Sequence, residues 1–266
     1  MKYKMLVLDM DDTLLTDDHK ISKRNKAALL KAQEQGVYVV LASGRPTPAM
    51  MDYAKDLNLA EYKSYILAYN GAVILSMADN TLLFEQSLTK EEIHQLYDFS
   101  ISHNVAIITY IEGHIISEST SPFIETEIRI TRMPFRKVNS FKAAVHTSAI
   151  KCILLEEPEY LKKVEIQLKA AMPDKSVAIS KPFFLEVTHH GIDKAESLKR
   201  LAKRLNIKQE EIIAVGNAGN DLSMIKYAGL GIWVDNVTPE LRDKADIIVA
   251  SNNNDGVAEV VERFIL

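Results

Sequence analysis

The chain has 266 residues, 47% hydrophobic and 26% charged, an ordinary globular balance able to bury one large core or two smaller ones. With 32 Lys and Arg against 36 Asp and Glu the formal net charge is −4, so no overall basic field recommends nucleic acid or an anionic membrane as partner. A single cysteine, Cys152, excludes an internal disulfide and fits a reducing compartment. No apolar stretch is long enough to cross a bilayer, and MKYKMLVLDMDD holds too short an apolar segment for a signal peptide, so a cytoplasmic location is expected.

Apolar runs and amphipathic segments alternate from the start. Met5–Leu8 reads as a strand, Lys23–Gln35 as a helix, Val37–Ala42 as a strand, Thr47–Leu57 as a helix and Ser64–Tyr69 as a strand ending at Asn70-Gly71. Val73–Leu75 and Leu82–Phe84 suggest a hairpin. From about Glu85 to Val187 strands such as Ala106–Ile111 and Ile150–Leu155 mix with helices such as Lys90–His103 and Glu159–Ala171. The first pattern then returns: helix Lys194–Leu205, strand Ile212–Val215, helix Leu222–Tyr227, strands Leu230–Val234 and Asp246–Val249, and a final helix. The expected class is α/β: a doubly wound, mostly parallel sheet built from residues 1–84 and 188–266, interrupted by an α+β cap over 85–187.

Polar residues gather where the apolar runs end. Met5–Leu8 runs into Asp9-Met10-Asp11-Asp12, three carboxylates within four positions that repel one another and are costly to bury without a cation or donors. Ser43-Gly44-Arg45 follows Val37–Ala42, Asn70 follows Ile66–Tyr69, and Gly216-Asn217-Ala218-Gly219-Asn220-Asp221 follows Ile212–Val215. In open parallel sheets ligands bind at these carboxyl ends. Carboxylates for a hard cation or a nucleophile, a hydroxyl and amides as donors, and glycines that admit backbone N–H groups to an anion all suit a phosphoryl group held by Mg²⁺. Single Asp, Ser, Asn or Gly residues after strands mark ordinary turns; a turn does not need three acids.

Asp193 reads as the N-cap of the 194–205 helix, with Glu196 three positions on as in a capping box, which puts Lys194 in the first turn. A cation there opposes the helix dipole. It is useful if it faces a phosphate beside Asp9, and otherwise is a solvated surface lysine.

These residues resemble the four ordered motifs of the haloacid dehalogenase (HAD) superfamily: DMDDT at 9–13, Ser43-Gly44-Arg45, Lys194 and GNAGND at 216–221, with Asn70-Gly71-Ala72 beside them. A cap of this size between the second and third motifs is similar to the Cof-type sugar-phosphatase branch with its type IIB cap on a Rossmann-like core. The resemblance implies a Mg²⁺-dependent phosphatase acting on small phosphorylated metabolites, sugar phosphates foremost. Asp9 would be the nucleophile that forms an aspartyl-phosphate, and Asp11 the acid and then the base. Met10 and Gly44 through their N–H groups, Ser43, Lys194 and Asn220 would bind phosphoryl oxygens. Asp9, the Asp11 carbonyl, Asn217 and Asp221 would serve the metal, Asp221 by orienting Lys194 or a metal-bound water.

Two positions depart from the family pattern. Asp12 stands where DxDGT has glycine, in a position that varies. Asn217 stands where an aspartate usually ligates the metal, and an amide oxygen without charge should bind Mg²⁺ more weakly. The same core leaves two other readings open, a phosphosugar mutase and a catalytically weakened phosphate-binding regulatory protein.

Other chemistry-bearing residues have ordinary explanations. His189-His190 lack metal-ligand spacing with other His or Cys, Cys152 reads as a small buried side chain, and Trp233 as core. The segment EIRITRMPFRK at 127–137 is a solvated edge or a reader of the leaving group. Oligomeric state is not legible.

Overall fold

The structure is a computed structural model and describes residues 2–266. β1 (Met5–Leu8) leads to α1 (Lys23–Glu34), whose start is fixed by the Ser22 hydroxyl accepting the Asn25 N–H. β2 (Tyr38–Ala42) is followed by a 3-10 turn over Thr47–Met50 and the short α2 (Met51–Asp56). The sequence reading joined these last two as one helix; a tighter first turn is common at helix N-termini, and this one carries Pro48. β3 (Tyr65–Ala68), β4 (Val73–Ser76) and β5 (Leu82–Glu85) close the first part.

The insertion runs α3 (Lys90–Ser102), β6 (Ala106–Ile111), β7 (His114–Ser117), α4 (Ile124–Thr131), β8 (Phe135–Lys137), α5 (Phe141–Ala144), β9 (Lys151–Leu155), α6 (Pro158–Ala171), β10 (Lys175–Lys181) and β11 (Phe184–His189). The chain then returns through α7 (Lys194–Leu205), β12 (Ile212–Gly216), α8 (Leu222–Tyr227), β13 (Leu230–Val234), β14 (Ile247–Val249) and α9 (Gly256–Phe264).

Two compact units result. The first, Met1–Phe84 with Asp193–Leu266, holds an eight-stranded sheet in the order β14-β13-β12-β1-β2-β3-β4-β5. Every pair from β14 to β3 is parallel, and β3 to β4 is antiparallel. Strand residues alternate faces: Met5, Val7, Val40, Ala42, Ile212 and Ala214 pack with Leu198, Leu201 and Ala202 of α7 and Met224 and Ile225 of α8. The opposite face is left to α1 and α9, which lie against each other. Each fully buried Leu, Met or Val contributes about 1.5–3 kcal/mol, so this two-sided burial holds β1 rigidly at the centre.

The second unit, Glu85–Ile192, is a six-stranded sheet in the order β10-β11-β9-β6-β7-β8, antiparallel except between β7 and β8. Its core joins Ile93 and Leu96 of α3, Leu161, Val164 and Leu168 of α6, and the inward strand residues Ile107, Cys152, Leu154, Leu185 and Val187. The domain boundary read at 187/188 from sequence therefore falls inside a strand: β11 runs to His189, paired with Lys175, and the unit ends at Ile192. Residues 127–137 divide into the end of α4, Arg132 in the left-handed conformation (φ 56°), and β8. Among the described residues no helix is long and apolar enough to cross a membrane.

Candidate active site

The first unit's strand ends assemble a buried charge cluster from three distant parts of the chain. Leu8 is paired with Val215 in the parallel register of β1 and β12, and the ladder extends one residue further, Asp9 N–H donating to the Val215 carbonyl at 2.9 Å. Asp9 is thereby set beside the loop after β12. That loop turns back so that Asp221 Oδ2 accepts the N–H groups of Asn217 (3.0 Å) and Ala218 (3.1 Å). Between the two carboxylates stands Lys194, whose Nζ lies 2.6 Å from Asp9 Oδ1 and 2.6 Å from Asp221 Oδ1.

All three side chains are out of water: Lys194 and Asp221 are 0% exposed and Asp9 6%. Two carboxylates and one ammonium leave the cluster with a net negative charge. Burial, then the neighbouring Asp221, raise Asp9 from 3.8 to about 7 against the opposing pull of Lys194. Lys194 itself is held above its ordinary value because the two carboxylates outweigh its own desolvation.

The position of Lys194 follows from local packing. Asp193 caps α7, its Oδ1 accepting the Glu196 N–H at 2.9 Å; Glu196 pairs with Lys199 instead of returning to the cap. The first turn of α7 is pressed against the Asn70-Gly71 turn, where Ser197 Oγ donates to the Gly71 carbonyl. Gly71 has φ +99°, and a Cβ there would stand 2.6 Å from Ser197 Oγ and 2.7 Å from the Asp193 carbonyl, so only glycine lets the helix dock. Gly216 serves in the same way on the other side: a Cβ there would meet the Asp221 side chain at 2.6–2.7 Å.

The remaining motif residues surround this cluster on the same rim. Ser43 is buried, and its Oγ accepts the Arg45 N–H at 3.1 Å, which leaves its O–H to donate elsewhere. The Ser43 carbonyl accepts the Asn70 N–H at 2.8 Å, Asn70 lies against Gly44, and Asn220 Nδ2 donates to Asn70 Oδ1 at 3.3 Å. The second and fourth motifs thus touch through Asn70, which sits at φ 56° between Tyr69 (φ 52°) and Gly71. Asn217 Oδ1 accepts from Thr13 Oγ1 at 3.1 Å, joining the fourth motif to the first.

Three carboxylates that look alike in sequence have separate surroundings. Asp9 faces Lys194. Asp11 turns to Arg45, whose Nε and Nη2 donate to its two oxygens at 2.9 and 2.6 Å. Asp12 is exposed at φ 57°, with its carbonyl accepting from Asn236 Nδ2 at 2.7 Å. That conformation explains the glycine usual at this position in the family pattern. The sequence reading missed Arg45 as an Asp11 partner and Thr13 as an Asn217 partner; both stood inside the quoted motifs, but only the fold shows whom they meet.

A buried lysine shared by two carboxylates at the parallel strand ends of a doubly wound sheet, with an inserted α+β unit, defines the HAD type of hydrolase core. The family model for haloacid dehalogenase-like hydrolases matches residues 6–261. YxeH of Bacillus subtilis (strain 168) is 32% identical over 269 residues, with 99% of each chain covered. The same organism's 5-amino-6-(5-phospho-D-ribitylamino)uracil phosphatase YcsE is 30% identical over 263 residues, covering 99% of this chain and 96% of its own. A crystal structure of a haloacid dehalogenase-like hydrolase from Bacteroides thetaiotaomicron superposes with a TM-score of 0.94 at 37% identity, over 98% of this chain and 99% of that one. The chain belongs to the haloacid dehalogenase-like hydrolase family.

Proposed function

We propose that the protein is a Mg²⁺-dependent phosphatase of small phosphorylated metabolites, sugar phosphates foremost, working through an aspartyl-phosphate on Asp9. The observation that carries this reading is the buried Asp9–Lys194–Asp221 triad. The naming of YcsE as a phosphatase of a phosphorylated ribityl compound supports the substrate class.

The residues fit a hard cation. Among the described residues no three His, Cys, Asp or Glu side chains form a metal group, so the ligands would be oxygens of mixed kind: the Asp9 carboxylate, the Asp11 carbonyl and the Asn217 amide oxygen. The net negative charge of the triad and the raised Asp9 are what such a cation would relieve. When bound, Mg²⁺ supplies positive charge that favours the ionised nucleophile and neutralises phosphoryl oxygens. Asp221, with Oδ1 on Lys194 and Oδ2 on two backbone N–H groups, serves by holding the lysine and the Asn217 turn.

Asp9 attacks phosphorus while the bond to the alcohol oxygen breaks, and Asp11 delivers a proton to that oxygen. Asp11 then takes a proton from water as the water attacks the phosphorus of the aspartyl-phosphate, freeing inorganic phosphate and Asp9. Lys194, Ser43, Asn220 and the N–H groups of Met10 and Gly44 stabilise the charge on the phosphoryl oxygens. Cytoplasmic metabolites suit the near-balanced charge, −4 overall, and the lone buried cysteine. Phosphate release from an aryl phosphate, with and without Mg²⁺, tests the reading: release that needs Mg²⁺ and disappears in Asp9→Asn supports it, and activity that survives Asp9→Asn overturns it.

A further inference from the structure

We propose that Arg45 is the positioning residue for Asp11: its guanidinium fork fixes the carboxyl that trades protons with the leaving group, and it acts on the reaction only through that carboxyl. The inference rests on the acid–base role given to Asp11 above.

The contrast in burial is the first ground. The Arg45 side chain is 3% exposed, whereas that of Asp11, in the turn after β1, is 38% exposed. Both Asp11 oxygens are engaged by two different nitrogens of the fork, at 2.9 and 2.6 Å, a planar two-point contact that fixes direction as well as distance. Arg45 is itself held from three sides. Its N–H donates to Ser43 Oγ, its carbonyl accepts the Tyr69 N–H at 3.0 Å, and its guanidinium carbon lies 5.4 Å from the Tyr53 ring centroid. Tyr53 in turn donates to the His19 carbonyl at 3.0 Å, and His19 Nδ1 stands 3.7 Å from Asp11 Oδ1. A buried, well-packed side chain thus carries the cation that meets the half-exposed carboxylate.

The arrangement also separates the two acids of the first motif. Asp9 belongs to Lys194 and Asp11 to Arg45, so neither carboxylate competes for the other's cation. A lysine in place of Arg45 would keep the charge and lose the fork.

The test is a leaving-group comparison in a double-mutant cycle. An alkyl phosphate needs a proton on its departing oxygen, and an aryl phosphate needs it far less. In Arg45→Met, kcat/KM for the alkyl phosphate should fall by about 10- to 100-fold, part of the contribution of a well-placed general acid. The loss on the aryl phosphate should be distinctly smaller, and Arg45→Lys should recover part of it. In the Asp11→Asn background Arg45→Met should cost nothing further on either substrate. Equal losses on both substrates, or a loss that persists in Asp11→Asn, overturns the proposal; a persistent rise in KM alone would make Arg45 a substrate contact. Thermal unfolding of each variant identifies a folding defect, and Arg45→Lys, which keeps the stem and charge, carries the comparison if Arg45→Met does not fold. An Asp11→Asn enzyme with full alkyl-phosphate activity would instead refute the acid–base role on which the inference stands.

Discussion

Lys194 and Asp9 lie 185 positions apart in the chain and meet at 2.6 Å, with the ammonium fully buried and the carboxylate nearly so. Lys194→Met leaves Asp9 and Asp221 facing each other without their shared cation. Breaking a buried ion pair costs about 3–5 kcal/mol, so urea unfolding of this variant should show a loss of that order and phosphate release should nearly vanish. The stability loss should be smaller at pH 5 than at pH 8, since protonation of Asp9 relieves the repulsion.

Asp9 gives stability a pH dependence whose sign is fixed. Its folded value, about 7, lies above its unfolded 3.8, so between these limits the folded state binds more protons than the unfolded chain. The stability from this group is complete below 3.8 and is lost as pH rises through about 7. Urea midpoints in a chelator should therefore fall from pH 5 to pH 7.5, the slope should flatten in Asp9→Asn, and Mg²⁺ should restore more stability at pH 7.5 than at pH 5. A chelated wild type whose midpoint rises across this window would contradict the assignment.

Gly216, at the end of β12, and Gly219, in the turn that follows, should respond differently to alanine. Gly216→Ala pushes a methyl group into the Asp221 side chain, and overpacking of this kind costs about 1–3 kcal/mol. Because Asp221 holds Lys194, kcat should fall with it. Gly219 has open space around a Cβ, so Gly219→Ala should stay within about 0.5 kcal/mol and keep the fold of the loop. Thermal unfolding and steady-state rates on the two variants make the comparison.

Asn217→Asp keeps an acceptor for Thr13 Oγ1 and adds a charge to the loop that Asp221 holds. Calorimetric Mg²⁺ titration should show tighter binding, on the order of tenfold, because carboxylate ligands raise the affinity of a hard-cation site. The metal-free variant should be less stable than the wild type. An unchanged titration would remove Asn217 from the metal site.

At Asp12, whose φ is 57°, glycine adopts the backbone without strain. Asp12→Gly should change stability by less than about 1 kcal/mol and leave turnover intact, whereas the β-branched Asp12→Val should be clearly destabilised by chemical denaturation.

The core strands were legible because a fully buried parallel strand is a plain apolar run: β1 and α7 were read with the bounds the structure shows. The motif residues were legible because each stands at the end of such a run. The insertion was harder. β7, β8, β10 and β11 carry polar residues such as His114, Arg136, Ser176 and Glu186, as half-solvated strands do, and the pattern did not set them apart from loops. Partner choice was not legible at all. Nothing in Asp9-Met10-Asp11 says that the first carboxylate meets Lys194 and the second Arg45, since both pairings are made by the order of strands and the docking of α7 on Gly71.

The central claim is that Asp9 becomes phosphorylated. Rapid acid quench of the enzyme during turnover of a radiolabelled phosphomonoester, followed by peptide mapping, tests it most directly. Label on the peptide containing Asp9, released by hydroxylamine and absent from Asp9→Asn, is the result expected here. Phosphate release without any labelled protein, together with an active Asp9→Asn enzyme, would contradict it.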